Sequence, residues 1–202
     1  MMNNITTICA LASALGQGGI GVVRVSGPQS TEIAQKMLGH VPKARYAHYG
    51  SFFNQKGVEI DKGVALFFPG PHSFTGEDVI EFQGHGGILV MRSLLESAMA
   101  LGAVAAEPGE FSKRAFINGK MDLVQAEAVA DIIDASSEQS ARSALRSLSG
   151  EFSDQVNALT KALIELRVFV EATIDFSDEE IDFLASGDVK LKVEKIENDI
   201  KD

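Results

Sequence analysis

Up to about residue 118 the apolar positions fall in short alternating or β-branched runs, and beyond it they recur at helical spacing. Residues 5–10 and 20–25 are apolar and β-branched and predict two strands. Gly27-Pro28 breaks the second, and residues 30–38 then read as a short helix with Ile33, Met37 and Leu38 on one side. Residues 46–53 and 58–68 predict a hairpin, its turn at Asn54-Gln55-Lys56-Gly57. Residues 78–82 predict another strand entering Gly84-His85-Gly86-Gly87. A helix follows with Leu89, Leu94, Leu95 and Met99 inward, ending near Gly102. Mixed, partly antiparallel strands with a few helices make an α+β domain.

The second part predicts only helices, over residues 123–133, 138–148 and 151–174. In the last, Phe152, Val156, Leu159, Leu163, Leu166, Val170 and Thr173 alternate in steps of four and three. Such a seam serves equally as a bundle core or as an intermolecular coiled coil. Ser177-Asp178-Glu179-Glu180 has the spacing of a capping box and lacks the ligand alternation of a calcium loop. A charged helix opens at Val189, and no glycine or asparagine cap follows it before Asp202. The expected organisation is therefore a domain over residues 1–118 and the first part of a helical domain over residues 119–202.

Charge sharpens that division. Residues 1–118 hold 9 Lys+Arg against 9 Asp+Glu, and residues 119–202 hold 9 against 19, which places the whole deficit of 10 in the second part. With no basic stripe to neutralise phosphates, the chain alone is not expected to be a strong nucleic-acid binder. The longest apolar runs are too short to cross a bilayer, and no cleavable leader pattern opens the chain. The one cysteine, Cys9, lies in an apolar run and reads as a small buried hydrophobe, which suits a reducing cytoplasm.

Two short motifs are decoys. Gly16-Gln17-Gly18-Gly19-Ile20-Gly21 matches a dinucleotide fingerprint in letters, but it leads into a strand instead of opening the helix that would hold a pyrophosphate. Gly119-Lys120 is followed by Met121, so no phosphate loop is present there.

Three long blocks carry more information: residues 18–27, residues 69–87 and residues 107–123. Gln125-Ala126-Glu127-Ala128, Asp134-Ala135-Ser136-Ser137 and Asp175-Phe176 follow them. In this order and spacing the chain resembles, from about Ile5 onward, the MnmE (TrmE) family of GTPases that help to modify the wobble uridine of tRNA. The resemblance implies an N-terminal domain that binds a reduced folate, such as 5-formyltetrahydrofolate, and forms a homodimer. It implies a helical domain into which a GTP-binding domain is inserted, with GTP, magnesium and potassium belonging to that inserted domain. It also implies a flavoprotein partner, MnmG (GidA), tRNA in the full complex, and a cytoplasmic setting. The present chain is expected to stop before the GTP-binding domain and not to hydrolyse GTP.

Carried over by position, the family's folate contacts fall on Arg24, Glu81 and Lys120. The chemistry suits them: a carboxylate such as Glu81 accepts the adjacent N–H donors of a pterin, and Arg24 or Lys120 pairs with the carboxylates of the glutamate tail. His85, between glycines and without a paired nucleophile, reads as a structural or pocket-lining histidine. Arg114 either lines the pocket or caps a turn. No catalytic or metal-binding constellation is visible. Two other readings compete: a free-standing folate-dependent one-carbon transferase, and a pure assembly module without folate.

Overall fold

A computed structural model of the protein describes residues 6–14, 16–175 and 188–201. The expected capping box at Ser177–Glu180 and the strand residue Ile5 lie outside the described residues. The chain forms two compact units, Met1–Met121 and Asp122–Asp202.

The first unit is a mixed sheet with two helices on one face. Its strands are β1 (Ile8–Leu11), β2 (Gly18–Ser26), β3 (His48–Phe53), β4 (Glu59–Phe68), β5 (Val79–Gly86) and β6 (Val104–Ala105), ordered β3-β4-β5-β2-β1-β6. Only the β1–β6 pair is parallel. Helices α1 (Ser30–Leu38) and α2 (Ile88–Ala100) supply the apolar side chains that cover the sheet. Val23, Val25, Ala65, Ile80 and Phe82 project from the strands into that core, meeting Ile33, Met37 and Leu94. Phe52 meets Phe82 edge to face, with ring centroids 5.6 Å apart. Each such buried apolar side chain contributes about 1.5–3 kcal/mol relative to exposure, so this face carries the unit's stability.

Three details depart from expectation. β5 continues through Gly84, His85 and Gly86 and does not end at Phe82. The reason is space: a Cβ on Gly84 would lie 2.5 Å from Asp61 Oδ2, and one on Gly86 would lie 2.6 Å from the Gly18 carbonyl oxygen. Glycine here lets neighbouring strands close up. Leu89, expected inward, is 78% exposed, because α2 turns Met91, Leu94 and Ala98 toward the sheet instead. A third helix, α3 (Glu110–Ile117), was not foreseen; it opens after Gly109, whose φ of 74° suits glycine.

The second unit is helical: α4 (Leu123–Asp134), α5 (Glu138–Leu148), α6 (Glu151–Asp175) and α7 (Asp188–Lys201). Capping boxes start two of them, Asp122 with Gln125 and Ser137 with Ser140, each satisfying two otherwise orphaned backbone N–H groups. Along α6 the predicted seam is only partly covered. Leu159, Leu166 and Val170 are half-buried, while Phe152, Val156 and Leu163 are exposed. Among the described residues no helix is long and apolar enough to cross a membrane.

Candidate functional site

Successive strand residues alternate faces, so the residues between those of the core line the opposite face of the sheet. Arg24 of β2 stands directly across from Glu81 of β5, and Glu81 stands across from Leu66 of β4. Arg24 Nε donates to Glu81 Oε1 at 2.8 Å, and Nη2 lies 2.8 Å from the same oxygen in the ion pair. Glu81 Oε2 has only a long contact, 3.5 Å from Gln83 Nε2. The guanidinium carbon lies 5.6 Å from the centre of the Phe74 ring and 5.7 Å from that of Phe111. Glu81 thus has Oε1 held by Arg24 and no close partner on Oε2 among the described residues, and the guanidinium that holds it lies beside two aromatic rings.

The loop of residues 69–78 builds one wall. Asp78 Oδ1 accepts the Gly70 N–H at 2.9 Å, and Ser73 Oγ donates to the Glu77 carbonyl. Ser26 Oγ lies 2.7 Å from Thr75 Oγ1 and donates to Glu77 Oε2 at 2.6 Å, tying the loop to β2. Arg114 of α3 donates to Glu77 Oε1 at 3.1 Å, to Glu110 Oε1 at 2.9 Å and to the Thr6 carbonyl at 2.7 Å. Its guanidinium is therefore a clasp joining helix, loop and first strand. Asn118 adds a bond from Nδ2 to the Thr75 carbonyl at 2.7 Å. Burial pushes the Glu110 carboxyl up, but the Glu107 amide, Arg114 and Lys113 outweigh it and hold the group below the usual carboxylate range.

Of the residues singled out from sequence, Arg24 and Glu81 are brought into direct contact. Lys120 sits at the other side of the loop wall: its Cγ and Cδ lie 3.3 Å from where a Cβ on Gly76 would stand, and its side chain makes no ion pair among the described residues. Gly76 has φ of 78°, a left-handed backbone that favours glycine. Sequence reasoning gave no role to Phe74 or Phe111. The available signal was that each lies inside one of the long blocks, two residues after an apolar-poor turn.

His85 is on the same face, beyond Gln83. Its Nδ1 lies 2.8 Å from Asp61 Oδ1, and its backbone N–H donates to Asp61 Oδ2 at 2.7 Å. Burial raises the Asp61 carboxyl, yet the His85 amide, the His85 ring and the Lys62 amide together lower it further than burial lifts it. A separate cavity of about 430 Å³, lined by Leu11, Ser13, Ile20, Met91 and Leu95 among others, includes none of Arg24, Glu81 and Lys120. Cys9 is fully buried, and burial pushes its thiol up to about 11, so it is an inert core residue.

Residues 7–120 match the family model described as GTP-binding protein TrmE N-terminus, and residues 123–202 match that of the MnmE helical domain. The chain belongs to the MnmE (TrmE) family. Among its relatives, the tRNA modification GTPase MnmE of Ruthia magnifica subsp. Calyptogena magnifica is 69% identical over 201 residues, which is 100% of this chain and 45% of that relative. The protein of the same name from Chromohalobacter salexigens is 61% identical over 183 residues, 91% of this chain and 40% of the relative. That from Pseudomonas aeruginosa strain UCBPP-PA14 is 58% identical over 194 residues, 96% and 43% respectively. The chain thus spans less than half the length of these MnmE relatives. Both family models meet at the boundary between the two compact units, so the sheet with its Arg24–Glu81 pair is the N-terminal unit of an MnmE family member.

Proposed function

We propose that this chain is the folate-binding, dimer-forming part of a cytoplasmic GTPase that modifies tRNA at C5 of the wobble uridine. The observation that carries the reading is the Arg24–Glu81 pair: Arg24, with its guanidinium beside Phe74 and Phe111, holds Oε1, while Oε2 has only its long contact to Gln83. A flat heterocycle with adjacent N–H donors, such as a pterin, fits a half-buried carboxylate oxygen beside aromatic rings. Arg24 is already engaged with Glu81, so the glutamate-tail carboxylates fall to Lys120, which has no ion pair among the described residues. Bound folate would supply a one-carbon unit. The chain's own residues bind and orient it, which is a contribution through positioning.

In the intact protein, GTP with magnesium and potassium would occupy a further domain, and a flavoprotein of the MnmG type would be the partner on tRNA. Neither glycine motif has the sequence pattern of a phosphate loop, so no GTP binding is expected of the chain itself. Calorimetric titration with 5-formyltetrahydrofolate tests the reading. Saturable one-to-one binding per chain is expected, with no heat from GTP. Absence of folate binding by the folded chain would refute it.

A further inference from the structure

The bulk charge balance of the first unit conceals a local excess. Between Glu32 and Glu59 the chain carries Lys36, Lys43, Arg45 and Lys56 and not one carboxylate side chain. Lys36 is paired with Glu32 at 2.8 Å, whereas Lys43 and Arg45 make no ion pair with any described carboxylate. Both stand in the exposed stretch of residues 43–47, at the edge of the sheet just before β3. Two exposed tyrosines accompany them, Tyr46 at 59% and Tyr49 at 71%. Lys43 Nζ lies 3.9 Å from the centre of the Tyr46 ring.

This stretch is held in place, and its place is informative. The Arg45 N–H donates to the Phe67 carbonyl at 2.8 Å, fastening the segment alongside β4. Arg45 Nη2 donates to the His72 carbonyl at 2.6 Å, fastening it also to the loop that carries Phe74. Arg45 adopts φ of 62°, a left-handed conformation unusual for a residue with a Cβ, and these two bonds hold it there. Leu66 and Phe67 pair with Glu81 and Ile80. The basic stretch therefore lies two strand spacings from Glu81, roughly 10 Å at about 4.8 Å per strand.

We propose that this edge, centred on Lys43, Arg45, Tyr46 and Tyr49, is a docking surface for an RNA loop. The two cations meet phosphates and the tyrosines offer faces on which unstacked bases lie. The inference rests on the tRNA reading above and adds to it where the substrate meets this unit: a nucleotide held at the edge would stand beside the one-carbon carrier. Exposed aromatic faces between the cations favour RNA over an acidic peptide or a polyglutamate tail, which needs cations alone. With two cations only, the edge orients the RNA and supplies part of the affinity.

The test is filter binding of the full-length protein to a tRNA transcript with uridine at the wobble position, across a salt series. Lys43→Gln with Arg45→Gly removes both charges; glycine suits the φ of 62° at that position and the backbone bond to Phe67 remains, so the path of the stretch is kept. Affinity should fall about tenfold, and the slope of log affinity against log salt should become shallower by about 1.4, roughly 0.7 for each lost contact to a single strand. Lys190→Gln in α7, an exposed cation of the other unit, should change neither. Because the double variant also loses the Arg45 bond to the His72 carbonyl, folate binding is read on Lys43→Gln alone, whose 5-formyltetrahydrofolate titration should match wild type and whose salt slope should become shallower by about 0.7. Unchanged affinity and slope in the double variant would overturn the proposal, as would a wild-type protein that binds no tRNA. Loss of affinity for a folate polyglutamate with tRNA binding unchanged would overturn it in favour of the tail. The tRNA reading is judged separately, by the content of modified wobble uridine in cells lacking the gene.

Discussion

Arg24 and Glu81, 57 residues apart in sequence and directly opposite on adjacent strands, share a single carboxylate oxygen through two guanidinium nitrogens. The pairing leaves Oε2 without a close partner among the described residues, and on the folate reading it is the atom that accepts the pterin N–H groups. Glu81→Ala should weaken 5-formyltetrahydrofolate binding by about 2–3 kcal/mol, the scale of a lost hydrogen bond to a charged group. Arg24→Lys should also weaken it, because an ammonium cannot hold one oxygen from two directions. Calorimetry on correctly folded variants checks both, and wild-type affinity for Glu81→Ala would place the ligand's N–H groups elsewhere.

Gly63 is a close-approach point in the sheet. A Cβ there would lie 2.1 Å from the Gln83 carbonyl oxygen and 2.9 Å from Phe52 Cε2. Gly63→Ala should destabilise the first unit by about 3 kcal/mol, the upper range for overpacking. Denaturant unfolding followed by far-ultraviolet dichroism measures it, and a loss below about 1 kcal/mol would mean the β4–β5 pair opens without strain.

The Cys9 thiol, held near 11 by burial, should not react with a thiol reagent at neutral pH while the sheet is intact. Labelling should appear only with unfolding and track the denaturant transition. Prompt labelling of the native protein would contradict the buried position.

Asp61 and Glu110 both have folded-state values below their ordinary ones of 3.8 and 4.5. A depressed carboxylate contributes stability that is fully present above its ordinary value and is lost as pH falls through the folded value. The thermal midpoint should therefore hold at neutral pH and drop as pH passes below the ordinary values of 4.5 and then 3.8. Asp61→Asn should flatten part of that slope. A midpoint that is level through this range would show that neither ion cluster contributes.

Dimerisation assigned to the first unit predicts that a chain ending after Met121 sediments as a dimer. Its 10 cations and 9 acids over residues 1–121 nearly cancel, so two copies approach with little net repulsion. The buried area should be on the order of 1,200–2,000 Å² or more. If the α6 seam makes the dimer instead, the shortened chain is monomeric and the full chain is not. Analytical ultracentrifugation of both separates the cases.

Where periodicity carries the structure, the sequence was legible: residues 30–38 and 138–148 fold as helices over the predicted limits. It failed where glycine serves a neighbour instead of a turn. Gly84 and Gly86 look like strand breakers in one dimension, yet they let Asp61 and Gly18 come close, so β5 runs on. Leu89 was placed inward on hydrophobicity alone, but the helix phase is set by Met91, Leu94 and Ala98. At the site, the family blocks offer Arg24, Glu81 and Lys120 as candidates, but the Arg24–Glu81 bond was not legible, because strand register joins positions that no local pattern connects. The basic edge was hidden by averaging: a balance over 118 residues cancels a run of 26 that contains no acid.

The Arg114 clasp has a consequence for when the site can exist. Its bond to the Thr6 carbonyl spans 108 residues, nearly the whole length of the first unit. Contacts of such separation come at high loop-closure cost and form late. A chain still emerging from the ribosome can lay down β2, the β3–β4 hairpin and β5 before residue 114 is available, but the wall around Glu81 stays open until it arrives. On the folate reading, ligand capture would wait for the completion of the unit.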